Sequence, residues 1–203
     1  MKIICVGRNY ADHAKELNNP VPDEPVIFLK PQSALVRPKF PVHYPEFTDN
    51  LQYECEIVIR ICRNGKQITQ KTARQYFDHW TVGIDFTARD LQNKLKAKGL
   101  PWEIAKGFDN SAVVGDWVKI EEQDSLYDTS FSLNVNGQNV QKGHTSDMLN
   151  SFEQIVSYVS KYFTLQIGDI IFTGTPAGVG PVLPFDKLEG YLNMQKLLEV
   201  EVR

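Results

Sequence analysis

The chain has 203 residues, 42% of them hydrophobic and 23% charged, with a formal net charge of −3. That length suits one domain, and a fold of this size buries roughly 70% of its unfolded surface without covalent staples. Mild acidity argues against a nucleic-acid partner, no run nears the ~20 apolar residues of a membrane span, and the apolar start is too short for a secretory signal, so the protein is read as soluble and cytoplasmic.

In chain order, residues 3–6 predict a short apolar strand, and residues 10–17 a short helix capped by Asn9. Residues 10–19 are expected to close over a ligand, since a helix this short is marginal without packing. A strand is expected at 25–29, between proline-rich irregular segments at 20–25 and 38–45. Residues 52–61 alternate, with Tyr53, Cys55, Ile57, Ile59 and Ile61 on one face and Glu54, Glu56, Val58 and Arg60 on the other. Asn64-Gly65 then signals a tight hairpin turn. The apolar run 80–84 ends at Asp85, just before a helix that opens at residues 87–90 and runs towards Gly99. Asn136-Gly137 predicts a second hairpin, between strands at 131–135 and 138–141. Ser151 and Gln154 form a capping-box pattern for a helix reaching about Tyr162. Strands at 170–173 and 197–202 complete a β-rich α+β fold, a mixed sheet rolled on itself, with residues 1–203 read as one domain.

Glu54 and Glu56, two apart on a strand, leave the same face about 6–7 Å apart at the backbone and can bend towards one point. Alternation alone reads as a half-buried strand with a solvated face. Asp85, where a strand runs into a helix, changes the balance: three carboxylates without thiol or imidazole suit Mg²⁺ or Mn²⁺ better than zinc. A glycosidase pair fits poorly, because its carboxyls must flank the scissile bond rather than share a strand face. Cys5, Cys55 and Cys62 lie in apolar runs and read as reduced core thiols. His43, His79 and His144 read as structural or surface residues. His13 has Glu16 three residues on, a neighbouring helical position from which a carboxylate can orient the imidazole and stabilise its charged form, although the residues alone favour a solvated helix pair. Arg89 and Gln92 fall in the first turn of the helix after Asp85, to bind substrate or to brace the ligand loop. Residues 174–180 lack the Gly-Lys-Ser/Thr ending of a phosphate loop and contain Pro176, so they read as a tight loop that brings Thr175 to the pocket.

An ordered set of signatures then resembles the fumarylacetoacetate hydrolase family, in its short branch of acylpyruvate hydrolases and oxaloacetate decarboxylases. It runs from Gly7-Arg8-Asn9-Tyr10 through Phe28-Leu29-Lys30-Pro31, Tyr53-Glu54-Cys55-Glu56, Gly83-Ile84-Asp85, Ala88-Arg89-Asp90-Leu91-Gln92 and Lys106-Gly107-Phe108-Asp109 to the Thr173-Gly174-Thr175-Pro176 loop. The resemblance implies that Glu54, Glu56 and Asp85 hold Mg²⁺ or Mn²⁺. It implies that His13 and Glu16 activate water, that Lys106 meets the substrate, and that Arg8, Arg89, Gln92 and Thr175 line its pocket. The implied fold is the family's β-rich roll, commonly a homodimer. The implied activity is metal-dependent cleavage of the C3–C4 bond of small 2,4-dioxo acids, or decarboxylation of oxaloacetate, through a pyruvate enolate. Rivals are an isomerase or hydratase of dienoates, and a non-catalytic ligand-binding protein that keeps the fold. Two positions depart from the pattern. Pro184-Phe185-Asp186 stands where the family commonly has Pro-Gly-Asp, and Cys55 where Gly or Val is common.

Overall fold

The computed structural model describes residues 1–17, 20–37, 39–122 and 124–203. Asn18 and Asn19, at the end of the segment expected to close over a ligand, and Pro38, which opens the second proline-rich segment, lie outside the described residues. The main sheet runs in the order Val26–Lys30, Ile3–Gly7, Ile170–Phe172, Cys55–Ile61, Phe77–Asp85, Ala112–Val114. It is mixed: Ile3–Gly7 pairs parallel with Ile170–Phe172, while the other neighbours are antiparallel. A second sheet, ordered Gln138–His144, Ser130–Val135, Lys187–Leu192, Gln195–Glu201, packs over one face of the first. A small third sheet joins Gly180–Pro181, Leu51–Tyr53 and Thr87–Ala88. The α+β, strand-rich reading of the sequence describes this architecture.

The alternation of residues 52–61 sorts them between two cores. Cys55, Ile57, Ile59 and Ile61 join the large core with Val82, Ile84, Phe131 and Leu133 and with Phe152, Ile155 and Val159 of the helix Phe152–Tyr162. Val58 faces the other way, into a smaller cluster with Ile3, Cys5, Ile170 and Phe172. The face expected to be solvated is therefore covered, and Glu56 lies on it.

Several local expectations hold. Asn136 and Gly137 take φ values of 52° and 78°, as the tight turn between Ser130–Val135 and Gln138–His144 requires. Ser151 and Gln154 make both bonds of the capping box. The helix Arg89–Ala97 ends ahead of Gly99, at φ 64°.

Three do not hold. The strand expected at 52–61 is two strands, Leu51–Tyr53 and Cys55–Ile61, interrupted at Glu54. On one side of the break the chain pairs with Thr87–Ala88, and on the other with Phe77–Asp85. Asn64-Gly65 makes no two-residue hairpin: Cys55–Ile61 returns to Phe77–Asp85 through the helix Gln70–Ala73 and the 3₁₀ turn Arg74–Tyr76. Gly65 instead bridges to Leu165, so close to Tyr76 and Ile68 that a Cβ would lie 2.4 and 2.7 Å from their side chains. Asn9 does not cap the helix Ala11–Glu16, whose N-cap is Tyr10 without a side-chain bond. The Asn9 amide reaches across the fold, donating to the Thr173 and Asn150 carbonyls at 2.8 and 3.1 Å and accepting from the Asn150 backbone at 2.8 Å.

A candidate metal and oxo-acid centre

The strand break places the carboxylates. Glu54 sits in the break, and its carbonyl accepts from the Asp85 backbone N–H at 2.8 Å. Glu56 is in register with Gly83, two residues before Asp85, so Glu56 and Asp85 rise from the same face of adjacent strands. One oxygen from each of Glu54, Glu56 and Asp85 lies within 4.8 Å of the other two, and all three side chains are buried.

Burying three carboxylates together is costly unless counter-charges come with them. Lys106, at the end of the short helix Glu103–Lys106, donates to Glu54 at 2.7 Å and to Asp85 at 2.9 Å. Arg89, the first residue of its helix, donates to Glu54, to Gln92 Oε1 at 2.6 Å and to Gln52 at 2.7 Å. Lys30 closes the strand Val26–Lys30 and lies 2.7 Å from Asp85 Oδ1. The same Nζ is also within reach of the carbonyls of Lys106, Phe86 and Ser111 and of the Ser111 hydroxyl, more acceptors than its three protons can serve at once. Asp85 Oδ1 is buried, with the Lys30 ammonium as its near partner.

The three carboxyls are not alike. Burial alone would raise Glu54, but Lys106 and Arg89 hold it well below the usual carboxylate range. Burial, and then the charges of Asp85 and Glu54, push Glu56 well above that range. Its one directed partner is the Gly174 N–H, at 2.7 Å from Oε2. Gly174 has φ 105°, and a Cβ there would lie 2.6 Å from that of Asn9, so glycine is needed to bring this N–H to Glu56. Lys106 is raised: burial works against its charge, but Asp85 and Glu54 outweigh it.

A small cavity, about 30 Å³, opens on this cluster and is lined also by Arg8, His13, Gln92, Lys96, Trp102 and Thr175. A larger groove, about 780 Å³ and lined by Leu35, Val36, Arg37, Phe40, His43 and Asp109 among others, gathers no buried ionisable group among the described residues and does not compete as a site. His13 Nδ1 lies 3.2 Å from Glu16, whose other oxygen accepts from the Gly178 N–H at 3.0 Å. Nε2 has no hydrogen-bond partner among the described residues and is left for the cavity. Burial lowers the His13 pKa below its ordinary value, only partly offset by Glu54 and Glu16. Glu16 does favour the charged ring, as a carboxylate at that position can, but desolvation outweighs it.

The structure brings every candidate to one place. Glu54, Glu56, Asp85, Lys106, Arg8, Arg89, Gln92, Thr175 and His13 all line the cavity, with Glu16 immediately behind His13. Thr175 is also part of the frame, donating to the Cys55 carbonyl and accepting from Gln141. His43, His79 and His144 lie elsewhere. Sequence reasoning missed the parts played by Lys30, Gly174 and Lys96. A lysine closing an apolar strand was the one available signal for Lys30; a backbone N–H on a remote loop leaves none.

A family profile described as the fumarylacetoacetate (FAA) hydrolase C-terminal region matches residues 2–203. The chain is 42% identical over 201 residues to a mitochondrial oxaloacetate tautomerase of Bos taurus, covering 97% of this chain and 91% of that protein. It is 41% identical over 184 residues to a mitochondrial oxaloacetate decarboxylase of Dictyostelium discoideum, covering 90% and 84%. The crystal structure of a fumarylpyruvate hydrolase from Pseudomonas aeruginosa, in complex with Mn²⁺ and pyruvate, superposes with a TM-score of 0.93 at 36% identity, covering 100% of this chain and 89% of that one.

Proposed function

The chain belongs to the fumarylacetoacetate hydrolase family, and from that premise we propose that it is a divalent-cation-dependent enzyme of small 2-oxo acids, acting on oxaloacetate or on 2,4-dioxo acids. The observation that carries this reading is the buried Glu54–Glu56–Asp85 cluster facing the same cavity as His13. Three buried carboxylates that bring an oxygen each within 4.8 Å of one another, with Glu56 held only by the Gly174 N–H, fit a hard cation such as Mg²⁺ or Mn²⁺. When bound, that cation supplies Lewis-acid stabilisation for negative charge on the 2-oxo oxygen.

The remaining work falls to the chain's own side chains. Lys106 and Arg89 add positive charge beside the 2-oxo carboxylate, and Gln92 and Thr175 offer hydrogen bonds. His13, neutral at physiological pH, handles the proton at Nε2, with Glu16 holding the ring from Nδ1. In hydrolysis of a 2,4-dioxo acid, water gives a proton to His13 and its oxygen adds to C4. The C3–C4 bond then breaks, its electron pair passing into the pyruvate enolate, and His13 returns the proton to C3. Oxaloacetate decarboxylation reaches the same enolate by loss of carbon dioxide. Oxaloacetate tautomerisation needs only the transfer of a C3 proton through His13. An enolate of a 2-oxo acid is common to all three reactions, that of pyruvate in the first two and that of oxaloacetate itself in the third, where the proton moves between the 2-oxo oxygen and C3.

Protein stripped with a chelator and reloaded with Mg²⁺ or Mn²⁺ tests the reading. Assays would follow oxaloacetate enol decay, carbon dioxide release, and hydrolysis of acetylpyruvate and fumarylpyruvate. Metal-dependent turnover of at least one compound is expected; folded, metal-loaded protein inert to all of them would overturn the proposal.

A further inference from the structure

The cavity holds more positive charge than its carboxylates use. Lys30, Lys106 and Arg89 are committed to Glu54 and Asp85. Arg8 and Lys96 line the same cavity and form no ion pair or hydrogen bond among the described residues. Arg8 enters with φ 58°, and its Nε is buried without a partner. Lys96 is half-buried, and its ammonium lies 5.3 Å over the Trp102 ring. Arg89, Gln92 and Lys96 occupy one helix face at i, i+3 and i+7, so Lys96 sits about 10 Å along the axis from Arg89. Arg89 serves the acid cluster, and Lys96 stands two turns further from it.

We propose that Lys96, with Arg8, binds the far carboxylate of a dianionic 2-oxo acid and sets a preference for dicarboxylic over monocarboxylic substrates. This rests on the functional reading above and assigns the end of the substrate that the acid cluster does not reach. A substrate with two carboxylates matches the two uncommitted cations, whereas a terminal methyl would leave both of them facing an apolar group. The electrostatics agree: burial, and then the charges of Arg89 and Arg8, push Lys96 down to about 8, a repulsion that a carboxylate between Arg8 and Lys96 would relieve.

The test is calorimetric binding of malate and of 2-hydroxybutyrate to the metal-loaded protein. These unreactive ligands differ only in a terminal carboxylate against a methyl group. Wild type should favour malate, and Lys96→Gln should cut that preference by ~10–100-fold, the range of a lost charge-assisted hydrogen bond. Lys96→Arg should restore most of it, and Lys94→Gln, on the exposed side of the same helix, should match wild type. The kinetic preference for oxaloacetate over acetylpyruvate should fall in parallel. Equal weakening of both ligands by Lys96→Gln, or an unaltered preference, would overturn the assignment while leaving the functional reading intact. Failure of wild type to bind either ligand would overturn both.

Discussion

The cavity and the turn at residues 183–186 both break ordinary rules of folding, but only the cavity compensates for it. Around the cavity, three buried carboxylates are matched by Lys30, Lys106 and Arg89, and Arg8 takes a left-handed conformation next to the Asn9 bonds that pin its neighbour. At the turn, Phe185 takes φ 75° while its ring is 80% exposed. The backbone there is held, with Asp186 N–H bonded to Leu183 O and Phe185 N–H to Val202 O, but the side chain contributes little to it. Strain surrounded by partners marks a place where groups are held for a task; strain without partners marks a residue the fold would exchange gladly. Substitution should therefore be harmful in the first region and helpful in the second.

The largest effect is expected at Glu56. Glu56→Ala removes one of the three proposed cation ligands and should lower metal-dependent turnover at least ~10³-fold, the scale of several kcal/mol of charge stabilisation. Metal titration should show the affinity falling in step, and full activity in metal-stripped buffer would sink the ligand assignment. Lys30→Met tests the compensation itself. It leaves Asp85 with one cation fewer in a dry site and should destabilise the fold by ~3–5 kcal/mol, lowering Tm by roughly 10 °C. A variant as stable as wild type would mean that Lys106 alone neutralises Asp85.

His13→Ala should cost hydrolysis of 2,4-dioxo acids ~10²–10⁴-fold and decarboxylation much less, since the second reaction needs no activated water. Equal losses on acetylpyruvate and oxaloacetate would make His13 a positioning group. The pH profile adds a sign. Because burial depresses the His13 pKa and the neutral ring is the proposed base, kcat/KM should rise with pH through a value below the free-imidazole 6.5, level off, and for a dicarboxylic substrate fall again as Lys96 loses its charge at about 8. Glu16 pulls this pKa upward, so Glu16→Gln should move the acidic limb to still lower pH while reducing kcat by about tenfold through lost orientation. A limb that moves to higher pH would contradict the assigned partnership.

What the sequence made legible follows which interactions are local. The alternation that sets Cys55, Ile57 and Ile59 against Glu56 and Val58 was legible because strand periodicity is a property of the backbone, and the Ser151–Gln154 box is complete within four residues. Asn9 failed as a cap because its partners, Thr173 and Asn150, are more than 140 residues away and outcompeted the nearby helix. Asn64-Gly65 carries the composition of a tight turn, but packing against Tyr76 and Ile68 decided its fate. Lys30 and Gly174 stand within the signatures, but their roles were not legible for the same reason, since each acquires its meaning only when distant strands bring Asp85 and Glu56 alongside. The site's ingredients could be read from the sequence; the compensation around them is tertiary.

The smallest expected effect has the opposite sign. Pro184 at the second position, φ 75° at Phe185 in the third, and the Asp186-to-Leu183 hydrogen bond give the pattern of a type II turn, which favours glycine at its third position. A non-glycine residue in the left-handed region costs ~1–2 kcal/mol, and glycine gives back ~0.5–1 kcal/mol through the greater freedom of its unfolded chain. Phe185→Gly should thus stabilise the protein by ~0.5 kcal/mol, raising Tm by roughly 1–2 °C. Phe185→Ala separates strain from the ring: it keeps the disfavoured φ and loses only an exposed side chain, so its Tm should stay near wild type. Turnover should not respond to either change, because the turn contributes no residue to the carboxylate cavity. A Phe185→Gly protein less stable than Phe185→Ala would show that the aromatic ring is held by contacts of its own. The turn would then belong with the cavity, as strain retained for a purpose.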